Sequence, residues 1–175
     1  PPPAGLAGRI ETLLRTSRRP LVVTGLTFTR AKQPELLTQF LDTQGIPFVS
    51  TLHAKGFVSE SHPGSLGVMG RARRTDVQRA IDSADLLLTV GFDPIEIDYE
   101  DWAHEIPVTN LSTEPGQPGT AVNVVGEEVG DIDAILRALA SVPRVANEWN
   151  AAEWTSHREA LDRALRPQAN GIAAH

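Results

Sequence analysis

The chain has 175 residues, 41% apolar and 5% aromatic, with a formal charge of −6 and no cysteine, which is one domain's worth of sequence with enough material for a buried core. The missing cysteines exclude a disulfide framework, thiol catalysis and cysteine-ligated metal, and suit a reducing, cytoplasmic setting. The basic residues are scattered apart from Arg18-Arg19 and the group from Arg71 to Arg74, so no stripe follows a nucleic-acid backbone, and no apolar run approaches the ~20 residues of a membrane span.

Pro1-Pro2-Pro3 reads as a stiff linker, and Leu6, Ile10, Leu13 and Leu14 then recur at helical spacing until Arg18-Arg19-Pro20 stops the turn. Pro1 stands first and Met69 is the only methionine, so a piece of a longer protein is expected. Leu21 to Thr24 is a short, unalternating apolar strand ending at Gly25, the pattern of a strand covered on both faces. Pro34 opens a helix with a stripe of Leu36, Leu37, Phe40 and Leu41 that ends at Gly45, and Ile46 to Ser50 resumes a strand. Thr75-x-x-Gln78 has the form of a capping box before a helix that buries Val77, Ala80, Ile81 and Ala84. Leu86 to Val90 is a central strand, and two more follow at 107–111 and 121–125 across a Pro- and Gly-rich turn. Asp131 caps a helix carrying Ile132, Ile135, Leu136 and Leu139, and Trp154, His157, Leu161, Ala164 and Leu165 mark a last amphipathic helix.

Strands and helices in regular alternation predict a Rossmann-like α/β fold: a doubly wound, mostly parallel sheet of five or six strands with helices on both faces. The expected organisation is a linker and leading helix over 1–19, the α/β domain over 20–142, and an exit helix and linker over 143–175 that leads towards a further domain.

In such a sheet ligands lie beyond the carboxyl ends of the strands. The loops to inspect are therefore Gly25 to Thr27, Thr51 to Gly56, Gly91 to Asp93, Asn110 to Glu114, and Gly126-Glu127. The first lacks a G-x-G-x-x-G fingerprint and reads either as a phosphate loop or as a plain strand-to-helix turn with Gly25 at positive φ. Thr51-Leu52-His53-Ala54-Lys55-Gly56 combines a hydroxyl, an imidazole and an ammonium that could grip an anion or carbonyl, or simply face solvent. Asp93, Glu96, Asp98, Glu100 and Asp101 form an acidic cluster without calcium-loop spacing, and the interleaved Ile95, Ile97, Tyr99 and Trp102 suggest a face packed on protein. The five histidines show no paired ligand spacing, and no Gly-x-Ser-x-Gly elbow is present.

The order Ile46-Pro47-Phe48-Val49, Thr51 to Gly56, His62-Pro63, Leu66-Gly67, Ala84-Asp85-Leu86-Leu87 and Gly91-Phe92-Asp93-Pro94-Ile95-Glu96 resembles the middle domain of thiamine-diphosphate enzymes of the acetolactate synthase and pyruvate oxidase type. The last segment is nearest to the flavin-free catabolic acetolactate synthases, which carry Gly-Tyr-Asp-Pro-Ile-Glu there. The closing Asn170 to His175 is similar to the segment that opens the family's diphosphate-binding domain.

The resemblance implies a central domain with a structural and subunit-contact role and no catalysis in isolation. It implies a parent enzyme that acts on 2-keto acids with thiamine diphosphate and Mg²⁺. The activating glutamate and the Gly-Asp-Gly motif belong to the flanking pyrimidine-binding and diphosphate-binding domains, which are the expected partners alongside further copies in a homo-oligomer; no Gly-Asp-Gly occurs here. By the same resemblance Gly25, Thr51, Leu52, His53, Lys55, Gly91, Asp93 and Ser112 are the residues that would meet a cofactor in the crevice. Flavin-binding members carry a glycine cluster after the first strand, a Gly-Met-His-Gly-Thr loop and an Asp-rich strand end; this chain has Gly25-Leu26-Thr27, Gly70 to Arg74 and Leu111 to Pro115, which argues against FAD. The alternative is a nucleotide-binding module that holds FAD, ADP or a CoA moiety in that crevice.

Overall fold

The computed structural model describes residues 4–70, 75–97, 102–115 and 122–165. The elements are α1 (Leu6–Thr16), β1 (Pro20–Thr24), α2 (Glu35–Gln44), β2 (Phe48–Thr51), β3 (Ser65–Met69), α3 (Thr75–Asp82), β4 (Leu86–Val90), β5 (Val108–Ser112), β6 (Val124–Val129), α4 (Ile132–Ala140) and α5 (Ala151–Leu165), with 3-10 turns at Leu26–Arg30 and Pro94–Ile97. All strands pair in parallel, in the order β3-β2-β1-β4-β5-β6. The chain thus starts in the middle, winds outward through β2 and β3, and returns to place β4 on the other side of β1.

Alternation along each strand sends side chains to two separate cores. Val22, Phe48, Leu88, Val90 and Leu111 face one core with Ile10 of α1, Phe40 of α2 and Ile135 of α4. Leu21, Val23, Leu87 and Val108 face the other with Val77 and Ile81 of α3 and Leu161 of α5. β1 and β4 are buried along their whole length, which is why they read as unbroken apolar runs; each such side chain contributes roughly 1.5–3 kcal/mol. The last helix packs on this domain, against β3 and α3. No helix among the described residues is long and apolar enough to cross a membrane.

Three local expectations are corrected. β3 lies in a stretch to which no element was assigned from sequence, because Gly67 interrupts the β-forming pattern; it sits at φ 110, and a Cβ there would lie 3.0 Å from both Leu161 Cδ1 and Val77 Cγ2. β6 begins at Val124 rather than 121, so Gly126-Glu127 is part of a strand and not a loop beyond one. As an edge strand it leaves Val124, Val125 and Val129 exposed, which blurs the alternation on which its limits were judged. In α3 the Gln78 amide turns forward, donating to Asp82 and to the Trp102 carbonyl, and not back to the helix start as in a capping box.

The amino ends of the strands are tied by polar groups that range from the buried Gln44 to the exposed Asp85. Gln44, fully buried, donates to the carbonyls of Val142 and Pro143 and accepts from the Val145 N–H, fastening the segment after α4 to the end of α2. Trp149 Nε1 donates to the Pro20 carbonyl while the Arg19 guanidinium lies 3.9 Å above its ring. Asp85, just before β4, accepts from the Ser17 hydroxyl and from the N–H groups of Arg18 and Arg19, so that the turn into β1 is held against β4.

Burial works against the charged form of Asp85, but those three donors outweigh it and hold the carboxyl below its ordinary 3.8. Since the folded-state pKa is the lower one, the stabilisation is complete above the ordinary value and is lost as pH falls through the folded-state value. In urea unfolding between about pH 6 and pH 2.5, the wild type is expected to lose stability below about pH 4 more steeply than Asp85→Asn. Parallel acid limbs for the two proteins would contradict this role for Asp85.

Candidate functional site

In a doubly wound sheet the crevice opens where the winding reverses, here between the carboxyl ends of β1 and β4. A nucleotide phosphate at such a point is held by free backbone N–H groups after the first strand. Every N–H of that turn is already engaged: Gly25 donates to the Val90 carbonyl at 3.0 Å, Thr27 to Gly91 at 2.8 Å, Phe28 to Gly25 at 3.0 Å, and Leu26 to Glu96 Oε1 at 2.7 Å.

Glu96 is the centre of this arrangement. Its side chain is 1% exposed, carried inward by the turn Pro94–Ile97 after β4. Oε1 accepts from the N–H groups of Leu26 and Asp93. Oε2 accepts from the Thr51 hydroxyl at the end of β2 and lies 3.3 Å from His53 Nδ1. A carboxylate from the protein itself therefore stands where a bound anion would stand, and joins the ends of β1, β2 and β4.

The two glycines permit a close approach of backbone to backbone. A Cβ on Gly25 would lie 2.3 Å from Phe92 Cα and 2.7 Å from Glu96 Oε1, and one on Gly91 would lie 2.2 Å from the Phe28 nitrogen. The expectation of a positive φ at Gly25 is corrected: its φ is −127, and it is Gly91 that has φ 65. The turn needs glycine at 25 because another backbone touches it there.

Of the residues singled out from sequence, Gly25, Thr51, His53, Gly91 and Asp93 gather around Glu96. The others point elsewhere. Leu52 is 66% exposed; Lys55 lies 3.6 Å from Glu60 on the outside of its loop; Ser112 is buried and its hydroxyl accepts weakly from the Glu114 N–H at 3.4 Å. Glu96 itself was grouped with the acidic cluster, and of its two apolar neighbours only Ile97 signalled a turn into the core. Ile97 and Trp102 are buried as expected, whereas Ile95 is 57% exposed, contrary to the packed-face reading. Asp98, Tyr99, Glu100, Asp101 and the basic group from Arg71 to Arg74 lie outside the described residues. Among the described residues no His, Asp and Glu side chains converge as a metal site.

Around the filled crevice three large apolar side chains face outward: Leu52, Phe57 and Ile95. Phe57 is held edge-on against the buried Phe28, with ring centroids 6.1 Å apart. Removing the central carboxylate strands the Leu26 and Asp93 N–H groups in a buried place, so Glu96→Ala is expected to cost about 2–4 kcal/mol in urea unfolding. Glu96→Gln, which keeps an acceptor for them, should lose less; an unfolding midpoint unchanged in the alanine variant would refute the anchoring role.

Comparison with known proteins agrees with this architecture. The chain is 25% identical over 169 residues to the acetolactate synthase large subunit IlvB1 of Mycobacterium tuberculosis, covering 91% of this chain and 27% of that protein. It is 26% identical over 154 residues to the acetolactate synthase large subunit of Corynebacterium glutamicum, covering 85% and 25%. It thus spans about a quarter of the length of the curated relatives it matches. A solved structure described as a thiamin diphosphate-dependent enzyme from Mycobacterium smegmatis has the same fold, with a TM-score of 0.68, 20% identity, and coverage of 84% of this chain and 29% of that one. The family model described as "Thiamine pyrophosphate enzyme, central domain" matches residues 8–139, three quarters of the chain, and the protein therefore belongs to the central-domain family of thiamine pyrophosphate enzymes.

Proposed function

We propose that this domain is a structural and domain-contact module of an acetolactate-synthase-like enzyme that joins or decarboxylates 2-keto acids, and that thiamine diphosphate and Mg²⁺ are held by the flanking pyrimidine-binding and diphosphate-binding domains of the parent. The observation that carries this reading is Glu96. A buried carboxylate already takes the donors that a diphosphate would need, and placing a second anion beside it in a dry crevice costs several kcal/mol. The residues present therefore do not fit a flavin or nucleotide pyrophosphate at this point. Nor does the sequence contain Gly-Asp-Gly. The exposed Leu52, Phe57 and Ile95 around the filled crevice supply an apolar rim suited to burial against a flanking domain or another subunit of a homo-oligomer in the cytoplasm.

The competing reading, a module that holds FAD, ADP or a CoA moiety, draws support from one detail. The buried hydroxyls of Thr27 and Thr113, just beyond β1 and β5, have no hydrogen-bond partner. Thermal melts of the 175-residue chain with each nucleotide separate the readings, since a ligand at 100 times its Kd adds ~2.7 kcal/mol. No shift is expected with any of the three, and a saturable rise in Tm with one of them would overturn the structural reading. In the parent enzyme, Leu52→Asp combined with Ile95→Asp is expected to abolish assembly while the isolated domain melts as before. Unchanged assembly of the doubly substituted parent would remove the rim from the interface.

A further inference from the structure

On the face of the sheet covered by α1, the side chains along one row shrink towards the edge: Leu88 in β4 pairs with Thr109 in β5, and Thr109 pairs with Gly126 in β6. The helix opposite is also bare, with glycine at positions 5 and 8, and a Cβ on Gly8 would meet nothing within 4 Å. The result is a hollow of about 490 Å³ between the first half of α1 and β5–β6, within the range of small-molecule pockets. None of Gly25, Thr51, Gly91 and Glu96 lines it, so it is separate from the filled crevice.

Its floor holds a polar group without a partner. Thr109 is 2% exposed, lines the hollow, and its hydroxyl makes no hydrogen bond. Gly126 leaves that hydroxyl uncovered, since a Cβ there would sit 3.2 Å from Thr109 Oγ1. Buried hydroxyls are almost always paired, and this one belongs to a residue that lines the hollow. The remaining walls are largely apolar, with Leu6, Ile10, Leu13 and Val125. At the rim the Arg9 guanidinium is neutralised by Glu128 and donates to the Ala4 carbonyl.

We propose that the hollow between α1 and β5–β6 is a binding site for a small, uncharged, mainly apolar molecule carrying one oxygen that hydrogen-bonds to the Thr109 hydroxyl. Apolar walls favour an apolar body, the Arg9–Glu128 pair presents no net charge while Glu127 beside it disfavours an anion, and the single hydroxyl on the floor fixes one oxygen. The proposal does not depend on what fills the crevice at Glu96.

The test uses the 175-residue chain and the neutral naphthyl ketone Prodan, whose emission shifts to the blue in an apolar site. Saturable one-site binding is expected, with amide and methyl chemical-shift changes at Leu13, Thr109 and Val125. Thr109→Val keeps the shape and removes the hydroxyl; it should weaken binding about fivefold, the share of one hydrogen bond, without loss of stability. Gly8→Leu fills the hollow from a position with free space and good helix propensity, and should abolish binding while the chain stays folded. No saturable binding, equal affinity in both variants, or shift changes at Leu52, Phe57 and Ile95 instead would each overturn the proposal.

Discussion

The contact on which the carboxyl edge of this sheet depends is the Glu96 carboxylate. Parallel strands end with their peptide groups pointing the same way, and the first helical turns after β1 and β4 present N–H groups to a common point. Such a point attracts negative charge. Many folds of this type leave it to a ligand, and the protein is complete only when the ligand is bound. Here the sequence supplies the anion itself, on a 3-10 turn that begins four residues after β4 ends. Because Oε1 serves the turn after β1 and Oε2 serves the end of β2, one side chain sets the spacing of three strands. The clearances at Gly25 and Gly91 follow from it: the loops can approach this closely only if both lack a Cβ where they touch.

The opposite edge of the sheet uses the same device with different residues. Asp85 gathers the N–H groups of Arg18 and Arg19, while back on the carboxyl side Asp133, at the start of α4, gathers those of Lys32 and Gln33 in the connection from β1 to α2. Gln44 reads both N–H and C=O groups of the segment 142–145. Each is a side chain that satisfies backbone groups of a loop distant in sequence, where no strand or helix could pair them. The apolar cores hold the layers together without fixing how the loops run. These few polar residues fix the loops, and so the register in which the layers meet.

The alternation of strand and helix was legible because β1 and β4 are covered on both faces and their sequences say so without reference to anything else. What was not legible lay where a residue's role depends on a distant neighbour. Gly67 looks like a strand breaker until Leu161 and Val77 are seen pressing on it. The limits of β6 are blurred because an edge strand with exposed valines carries little alternation. At the site, the motif around Thr51 and the one ending in Glu96 could each be recognised, yet nothing in either states that they touch. Glu96 stood in an acidic cluster whose interleaved apolar residues suggested a face packed on protein, and its burial is decided by the Leu26 N–H, 70 positions earlier. The resemblance placed Leu52 and Lys55 with the ligand-facing set, whereas in a short loop successive side chains diverge, and these two point away from the carboxylate.

A self-supplied anion also changes what the edge of the domain is free to do. A ligand that binds and leaves requires loops that open, and loops that open cannot carry a fixed apolar surface. With Glu96 permanently in place, the ordering of the three loops is completed on folding and is not charged to any later binding event. Leu52 and Ile95, the chain neighbours of the Thr51 and Glu96 that make this bond, are then presented outward by a rigid base. Phe57, braced on Phe28, adds a third point to the same rim. Rigid presentation of a few large apolar groups is what a contact surface needs, since little side-chain or loop entropy is left to lose when a neighbour covers them. On the proposed reading, a crevice closed to an exchangeable ligand and a firm docking rim are two results of one carboxylate.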